Sequence, residues 1–370
     1  MKKHWEVKKL GEVCEIIAGQ SPEGKYYNGA GNGLPFYQGK KEFTEKFIGE
    51  PTTWTTSITK EAWQGDILMS VRAPVGPVNF ATEKICIGRG LAAIRASKQI
   101  NKDFLFNFLI KHENEIVGNA GAVFNSISKT QIENISIPLP PLPEQQRIVA
   151  ILDEAFAAIA TAKKNAEQNL QNARELFESY LQRVFANRGD GWEEKKLEEV
   201  CENLDSKRVP VTKRDRTKGQ YPYYGASGIV DYVNQYIFDE DLLLVSEDGA
   251  NLLARTYPIA FSISGKTWVN NHAHVLRFNN MASQIFIEYY LNSIKLDDYV
   301  SGMAQPKLNQ TMLNSIEVPF PPLSEQRAIV AKLDALSAET KKLEAIYRQK
   351  LADLEELKKS VLKKAFDGEL

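Results

Sequence analysis

The stretch LPPLPEQQRIVAILDEAF, beginning at Leu139, returns later in the chain as FPPLSEQRAIVAKLDALS from Phe320. It is one part of a longer echo. WEVKKLGEVCEII from Trp5 is answered by WEEKKLEEVCENL from Trp192, and LPFYQG from Leu34 by YPYYGA from Tyr221. SISKTQIENISIPLPPLPEQ from Ser126 matches KLNQTMLNSIEVPFPPLSEQ from Lys307, at a spacing six residues shorter. A chain of 370 residues that repeats itself once, ends faithfully and middle loosely, must build two related units on one frame.

Within each unit the middle reads as short strands punctuated by Gly, Pro and Asn. These are DILMSV, PVNFA and LAAIRA in the first copy and DLLLVS, PIAFSI and HVLRF in the second. A helix follows, from about Asp103 to Val117 and from about Ser283 to Val300. Each unit opens with an amphipathic turn, where Leu10, Val13, Cys14 and Ile17, and again Leu197, Val200, Cys201 and Leu204, fall at helical spacing. Both cysteines therefore point to buried packing, and three cysteines without a CxxC spacing make no disulfide framework. The mixture is an α+β domain.

The proline cluster then runs into a long helix in both copies. Pro143 suits a first helical turn, where a missing N–H is not needed, and Ser324 at the matching place offers an N-cap oxygen. The spacing predicts a heptad seam through Ile148, Leu152, Ala155, Ile159, Ala162, Ala166, Asn169, Ala173, Leu176 and Tyr180. Its counterpart runs through Ile329, Leu333, Leu336, Thr340, Leu343, Tyr347, Lys350, Leu354, Leu357 and Val361. Neither seam can be buried alone. Either the two helices pair with each other, antiparallel by the pseudo-two-fold logic of the duplication and with Asn169 facing Thr340, or each docks on its own domain. The segments are then a first domain over 1–141, a helix over 142–186, a second domain over 187–322 and a final helix over 323–370.

The whole chain from about Trp5 onward resembles the specificity subunit of type I restriction–modification systems. IPLPPLPEQQRIVAILD, VPFPPLSEQRAIVAKLD, GDILMSVRAPVGPVNFA and IGRGLAAIRA carry the resemblance. It implies two target-recognition domains of the DNA methylase specificity type, joined by two long antiparallel coiled-coil helices, that read two unlike halves of a split site in double-stranded DNA. It further implies two methyltransferase (modification) subunits as partners, which bring S-adenosylmethionine, and restriction/translocase subunits that use ATP and Mg. No cofactor is expected in this chain itself, and the place of work is the cytoplasm.

A net charge of −1 does not by itself mark a phosphate-binding protein, so DNA affinity has to come from local patches. The strongest is SKRVPVTKRDRTKGQYPYYGA. There Lys207, Arg208, Lys213, Arg214, Arg216 and Lys218 surround one acid, Asp215, ahead of Tyr223 and Tyr224. Basic side chains hold phosphates while neighbouring aromatic and amide groups reach base edges; the bland reading is a solvated loop. The first copy offers Lys25, Tyr27, Gln38, Lys40 and Lys41 in a glycine-rich stretch that has neither P-loop nor dinucleotide-fingerprint spacing. Arg72 and Arg89 stand between glycines, prolines and strand residues, either to enter a groove or to pair a carboxylate.

Catalytic readings find little support. There is no [DNS]PP[YF] methyltransferase tetrapeptide, no Walker lysine loop and no nuclease-like carboxylate and lysine cluster. His272 and His274 share a face of a presumed strand but lack a third ligand, so no metal is expected. No run of apolar residues reaches the ~20 of a membrane span. The expectation is a non-catalytic DNA-recognition subunit; the rival is a coiled-coil adaptor that binds proteins and has no DNA specificity.

Overall fold

The computed structural model describes residues 5–118, 126–302 and 305–370. The chain divides into two compact units, Met1–Ala166 with Gln349–Leu370, and Glu167–Arg348. Helices in chain order are α1 (Leu10–Val13), α2 (Lys102–Gly118), α3 (Lys129–Glu133), α4 (Leu142–Ala186), α5 (Leu197–Val200), α6 (Asn251–Ala254), α7 (Met281–Ser293), α8 (Gln310–Asn314) and α9 (Leu323–Phe366).

In the first unit a four-stranded antiparallel sheet has the order Cys14–Ala18, Leu91–Ala96, Ile67–Ser70, Val78–Phe80. All four residues of Ile67–Ser70 are buried, although a strand points its side chains alternately to two faces. Both faces are covered. Ile67 and Met69 join Phe104 and Leu105 of α2 in one core, while Leu68 joins Tyr37, Ile85 and Ile87 of a second, five-stranded sheet. The second unit repeats the arrangement: Leu243 and Val245 pack under Phe286 and Ile287 of α7, and Leu242 and Leu244 pack against Phe238 and Val269 on the other side. Each unit is thus a helix layer and two sheets, the α+β class that the sequence predicts.

A two-stranded clasp closes each domain. Glu6–Lys9 pairs antiparallel with Ser136–Leu139, and Glu193–Lys196 with Glu317–Phe320, so the domain's first strand lies beside the one that leads into the long helix. The opening turn is shorter than predicted. Only Leu10–Val13 and Leu197–Val200 are helical, each closed by a glutamate (Glu12, Glu199) that accepts from the backbone N–H of Lys9 or Lys196. After one turn Cys14 enters a strand with Ile16 inward, because β-branched Ile16 and Ile17 favour extended backbone. Helix α7 stops at Ser293, short of the predicted Val300.

The long helices begin at Leu142 and Leu323, one residue before Pro143 and Ser324, so Ser324 lies inside the first turn instead of capping it. Within each unit one helix's early part meets the other's late part. In the first unit Ile148 and Leu152 share a core with Leu362, Ala365 and Phe366, and Lys163 Nζ pairs with Glu355 at 2.7 Å. In the second, Leu181 and Phe185 share a core with Val330 and Leu333, and Arg174 pairs with Glu344 at 3.3 Å. Partner numbers fall as the others rise, which is antiparallel packing.

The seam follows the predicted one through the early part of each helix and departs from it further along, at Asn169, Leu176, Leu343, Lys350 and Leu357. Ile148, Leu152 and Leu333 are buried and Ile159 and Ile329 half-buried, but Leu176, Leu343 and Leu357 are 52%, 36% and 48% exposed. The inward places belong to the next residue along: Leu170 and Phe177 on α4, Glu344, Leu351 and Lys358 on α9. A helix has 3.6 residues per turn and a heptad 3.5, so a seam set from one end drifts by about 20° per heptad. The charged seam residues lay their stems inward and pair their heads, Glu344 with Arg174 and Arg348, and Lys358 over the Phe156 ring. The Asn169–Thr340 layer does not form. Asn169 is exposed, and Thr340 donates its hydroxyl to Leu336 and Ser337 carbonyls of its own helix.

Candidate nucleic-acid interface

In the first unit the turn Gly88-Arg89-Gly90 lies against the end of strand Leu34–Tyr37. Gly88 N–H donates to Tyr37 O at 2.8 Å and Gly90 N–H to Gln38 O at 3.1 Å. A Cβ on Gly90 would fall 2.3 Å from Gln38 O, and one on Gly88 3.0 Å from Gln38 Cα, so this approach requires both glycines. The turn holds Arg89 exposed, with its N–H on Ser21 Oγ at 3.2 Å, while Ser21 Oγ donates to Gln38 Oε1 at 2.8 Å.

Around this turn lies a cleft of about 760 Å³ that Tyr27, Gln38, Lys41 and Arg89 help to line. Its apolar floor is the Tyr27 ring stacked on Phe36 at 4.7 Å, with the tyrosine hydroxyl donating to Pro22 O. Arg89 also borders a smaller cleft of about 210 Å³ together with Arg72. Five of the seven residues singled out in this unit therefore converge on adjoining clefts. Lys25 and Lys40 do not line them: Lys25 is tied to Glu23 at 2.6 Å, and exposed Lys40 acts on Glu113, whose carboxyl burial pushes above its usual range.

The second unit's basic stretch is divided in role. Lys207, Lys213, Arg214 and Lys218 are exposed. Arg208 is not a surface cation: its guanidinium donates to Glu247 Oε2 at 2.6 Å and Ala273 O at 2.8 Å and lies 3.3 Å from Asp205 Oδ2. Arg216 pairs with Asp231 at 3.2 Å and sits over the Tyr223 ring at 4.2 Å. Tyr223 is 1% exposed, its hydroxyl accepting from Val211 N–H and donating to Val211 O. These three hold the loop down, and the exposed lysines ride on it. Tyr224 is half-buried and packs near Phe261.

The stretch ends in a β-hairpin that the sequence reading missed. Lys218–Gly225 pairs with Gly228–Val233 across a tight turn, with Gly228 at φ +115°. The register skips between Tyr224↔Ile229 and Tyr223↔Asp231, so Val230 is a bulge residue. The result is an exposed apolar face of Ile229, Val230 and Tyr232 beside exposed Lys218 and Gln220. GIVDYV alternates weakly, and the aspartate within it hid the strand.

A buried ionic network lies at strand Ala273–Arg277 and the end of strand Leu242–Ser246. His274, 1% exposed, has Nδ1 on Asp205 Oδ2 at 2.5 Å and Nε2 on Leu308 O at 2.8 Å. Both ring nitrogens thus face oxygen partners, a carboxylate on one side and a backbone carbonyl on the other. Burial alone would raise the Asp205 carboxyl. The hydrogen bond from His274, the Val275 N–H and nearby Arg208 outweigh it and hold Asp205 below the usual carboxylate range. Glu247 is lowered likewise: burial is outweighed by Arg208, His274 and Lys307. Asp205, Glu247 and His274 stand close enough to hold a cation, yet their own cationic partners already occupy these oxygens. His272 lies apart from His274, with Nδ1 on Asp248 at 2.7 Å, so the two histidines do not form one site.

The family model for the type I restriction modification DNA specificity domain matches residues 2–170 and 189–353. The MjaX type I restriction enzyme specificity subunit of Methanocaldococcus jannaschii is 46% identical over 169 residues, 44% of this chain and 39% of that protein. The specificity subunit S.HindORF215P of Haemophilus influenzae is 33% identical over 210 residues, 52% of each. The chain thus spans about half the length of these relatives, or less. A chain solved in work on complex assembly and conformational transition of the type I R-M system has the same fold. Its TM-score is 0.81 at 21% identity, covering 99% of this chain and 98% of that one.

Proposed function

Because the chain belongs to the type I restriction modification DNA specificity domain family, we propose that it is the DNA-recognition subunit of a type I restriction–modification assembly, with no reaction chemistry of its own. Two surfaces of different make on the same frame support this reading. One is the cleft around Arg89 and Gln38; the other is the hairpin with Lys213, Arg214 and Lys218 at its base. A two-stranded ribbon fits the major groove, and exposed lysines can neutralise its flanking phosphates. Two unlike surfaces would read two unlike half-sites, giving a split and asymmetric target.

Helix α4 is 45 residues long, about 67 Å at 1.5 Å per residue, which makes it a natural spacer. Methyltransferase subunits would dock on the long helices, whose outward faces leave Leu176, Leu343, Ile346 and Leu357 exposed. Those partners would bring S-adenosylmethionine, and restriction subunits would bring ATP and Mg.

Co-expression with the methyltransferase subunit in a methylation-free host, followed by mapping of modified adenines, tests this. A split asymmetric motif is expected. No new methylation from a soluble, associated pair would favour the protein-binding adaptor instead.

A further inference from the structure

The EQ of the repeated PPLPEQ and PPLSEQ phrases has a buried purpose in both copies. Gln145 is 0% exposed and Gln326 1% exposed, although each lies in the first turn of a long helix, where polar residues ordinarily face water. Gln145 Nε2 donates to Pro140 O at 2.8 Å and to Gln99 O at 3.2 Å, and its Oε1 accepts from Asn101 N–H at 2.7 Å. Asn101 caps α2, its side chain accepting from Asp103 and Phe104 N–H. In the second unit Gln326 Nε2 donates to Pro321 O at 2.7 Å and its Oε1 accepts from Ser283 Oγ at 2.6 Å. Ser283 sits in the first turn of α7, which Asn280 caps. The two glutamines thus do the same thing with different partners. Each joins the carbonyl before a long helix to the start of its own domain's main helix.

Resting on the reading that the domains recognise two half-sites, we infer that Gln145 and Gln326 are positioning residues that lock each recognition domain to its long helix and so fix the spacing of the half-sites. Each domain is joined to the long helices by its clasp strands and by an apolar core, in which Phe104 and Phe108 meet Leu152 and Phe366 in the first unit and Phe286 meets Phe185 and Leu333 in the second. Apolar packing is non-directional, and the glutamine adds a directed tie against residual tilt about the clasp, the pivot. A domain of this size has a radius of gyration of roughly 14 Å, so its reading surface lies about 20 Å from the pivot. A tilt of about 10° moves that surface about 3.5 Å, one base-pair step. An amide with two or three buried hydrogen bonds, each difficult to leave unmade, resists such a tilt.

The test uses the full chain with its methyltransferase partner and a plasmid library in which the two half-sites are held constant and the spacer is varied by one base pair either way. Gln145→Ala and Gln326→Ala should keep both half-sites but lower the preference for the native spacer at least about tenfold. Gln146→Ala, next to the lock and exposed, should leave the preference unchanged. Equal loss of methylation at every spacer, or an unchanged preference in a folded variant, would overturn the inference. Should an alanine variant fail to fold, Gln145→Glu keeps the Asn101 contact while losing the donor to Pro140, and the same ratio decides. If the wild-type complex itself shows no split motif, the function reading has failed, and not the lock alone.

Discussion

Arg208→Ala separates stability from recognition in the second unit. The side chain is 13% exposed and makes charge-assisted contacts with Glu247 and Asp205 and hydrogen bonds to the Ala273 and Asp205 carbonyls. Removing one partner of a buried ion pair costs about 3–5 kcal/mol, mostly because the other charge is stranded. Here Lys307 still reaches Glu247 at 3.1 Å and His274 still reaches Asp205, so the loss should lie near the lower end, about 3 kcal/mol. Urea unfolding followed by tryptophan emission reports on this unit through Trp192 and Trp268, the latter donating to Val209 O beside the loop. Lys213→Ala and Lys218→Ala are the contrast. Both should change stability by less than about 0.5 kcal/mol, yet weaken DNA binding by the assembled complex and lower its salt slope by about 1 each. An Arg208→Ala variant that lost under about 1 kcal/mol and weakened DNA binding as Lys213→Ala does would make Arg208 a phosphate contact, and the network argument would be wrong.

Other outcomes follow from the same geometry. Phe177→Ala should destabilise the second unit by about 1–3 kcal/mol and Leu176→Ala by under about 0.5, measured by thermal unfolding; the reverse order would restore the strict heptad. Gly90→Ala, whose Cβ would meet Gln38 O, should displace Arg89 and relax the half-site read by the first domain while the other half-site is kept, as read from the methylome. Asp205 and Glu247 are held below their usual range, so their stabilisation is present above the ordinary carboxylate value near 4 and is lost as pH falls below it. The acid limb of the unfolding curve should be shallower in Arg208→Ala. Burial pushes the Cys14 and Cys201 thiols up to about 12, so native protein should alkylate slowly at both at pH 8 and rapidly once unfolded.

What the sequence makes legible is whatever repeats or has a period. The buried strands around Ile67 and Leu243 are continuous apolar runs bounded by turn residues, and both were readable as they stand. The clasp was not: EVKK and EEKK are short, charged and half out in water, and their pairing with SIPL and EVPF depends on residues more than a hundred positions away. The seam was half legible. Ile148, Leu152, Ala166, Ala173 and Leu333 lie inward, whereas further along each helix the inward place passes to the next residue, because Leu176, Leu343 and Leu357 are apolar without being inward. Among the site candidates, a run of cations gave no sign of which would fold back. Arg208 differs from Lys213 in having Asp205 three residues before it and Glu247 brought to it from the end of a strand 39 residues along the chain.

The drifted middles and faithful ends of the duplication divide labour along the same line as the geometry. Trp5 and Trp192, the clasp strands, the single helical turns and Gln145 and Gln326 are shared, and the clasps and glutamines tie a domain to its helix. The cleft around Arg89 and the bulged hairpin around Val230 are built on matched strands, Leu34–Tyr37 and Lys218–Gly225, each paired parallel with a neighbour in its second sheet, yet they differ in the side chains and loops they present. Such a layout lets a reading surface change without moving its mount. Exchanging residues 20–60 of the first domain, which carry most of that cleft, for those of another family member should therefore alter one half-site while leaving the spacer intact. A changed spacer after such an exchange would mean that the sheets, and not the glutamine ties, set the distance.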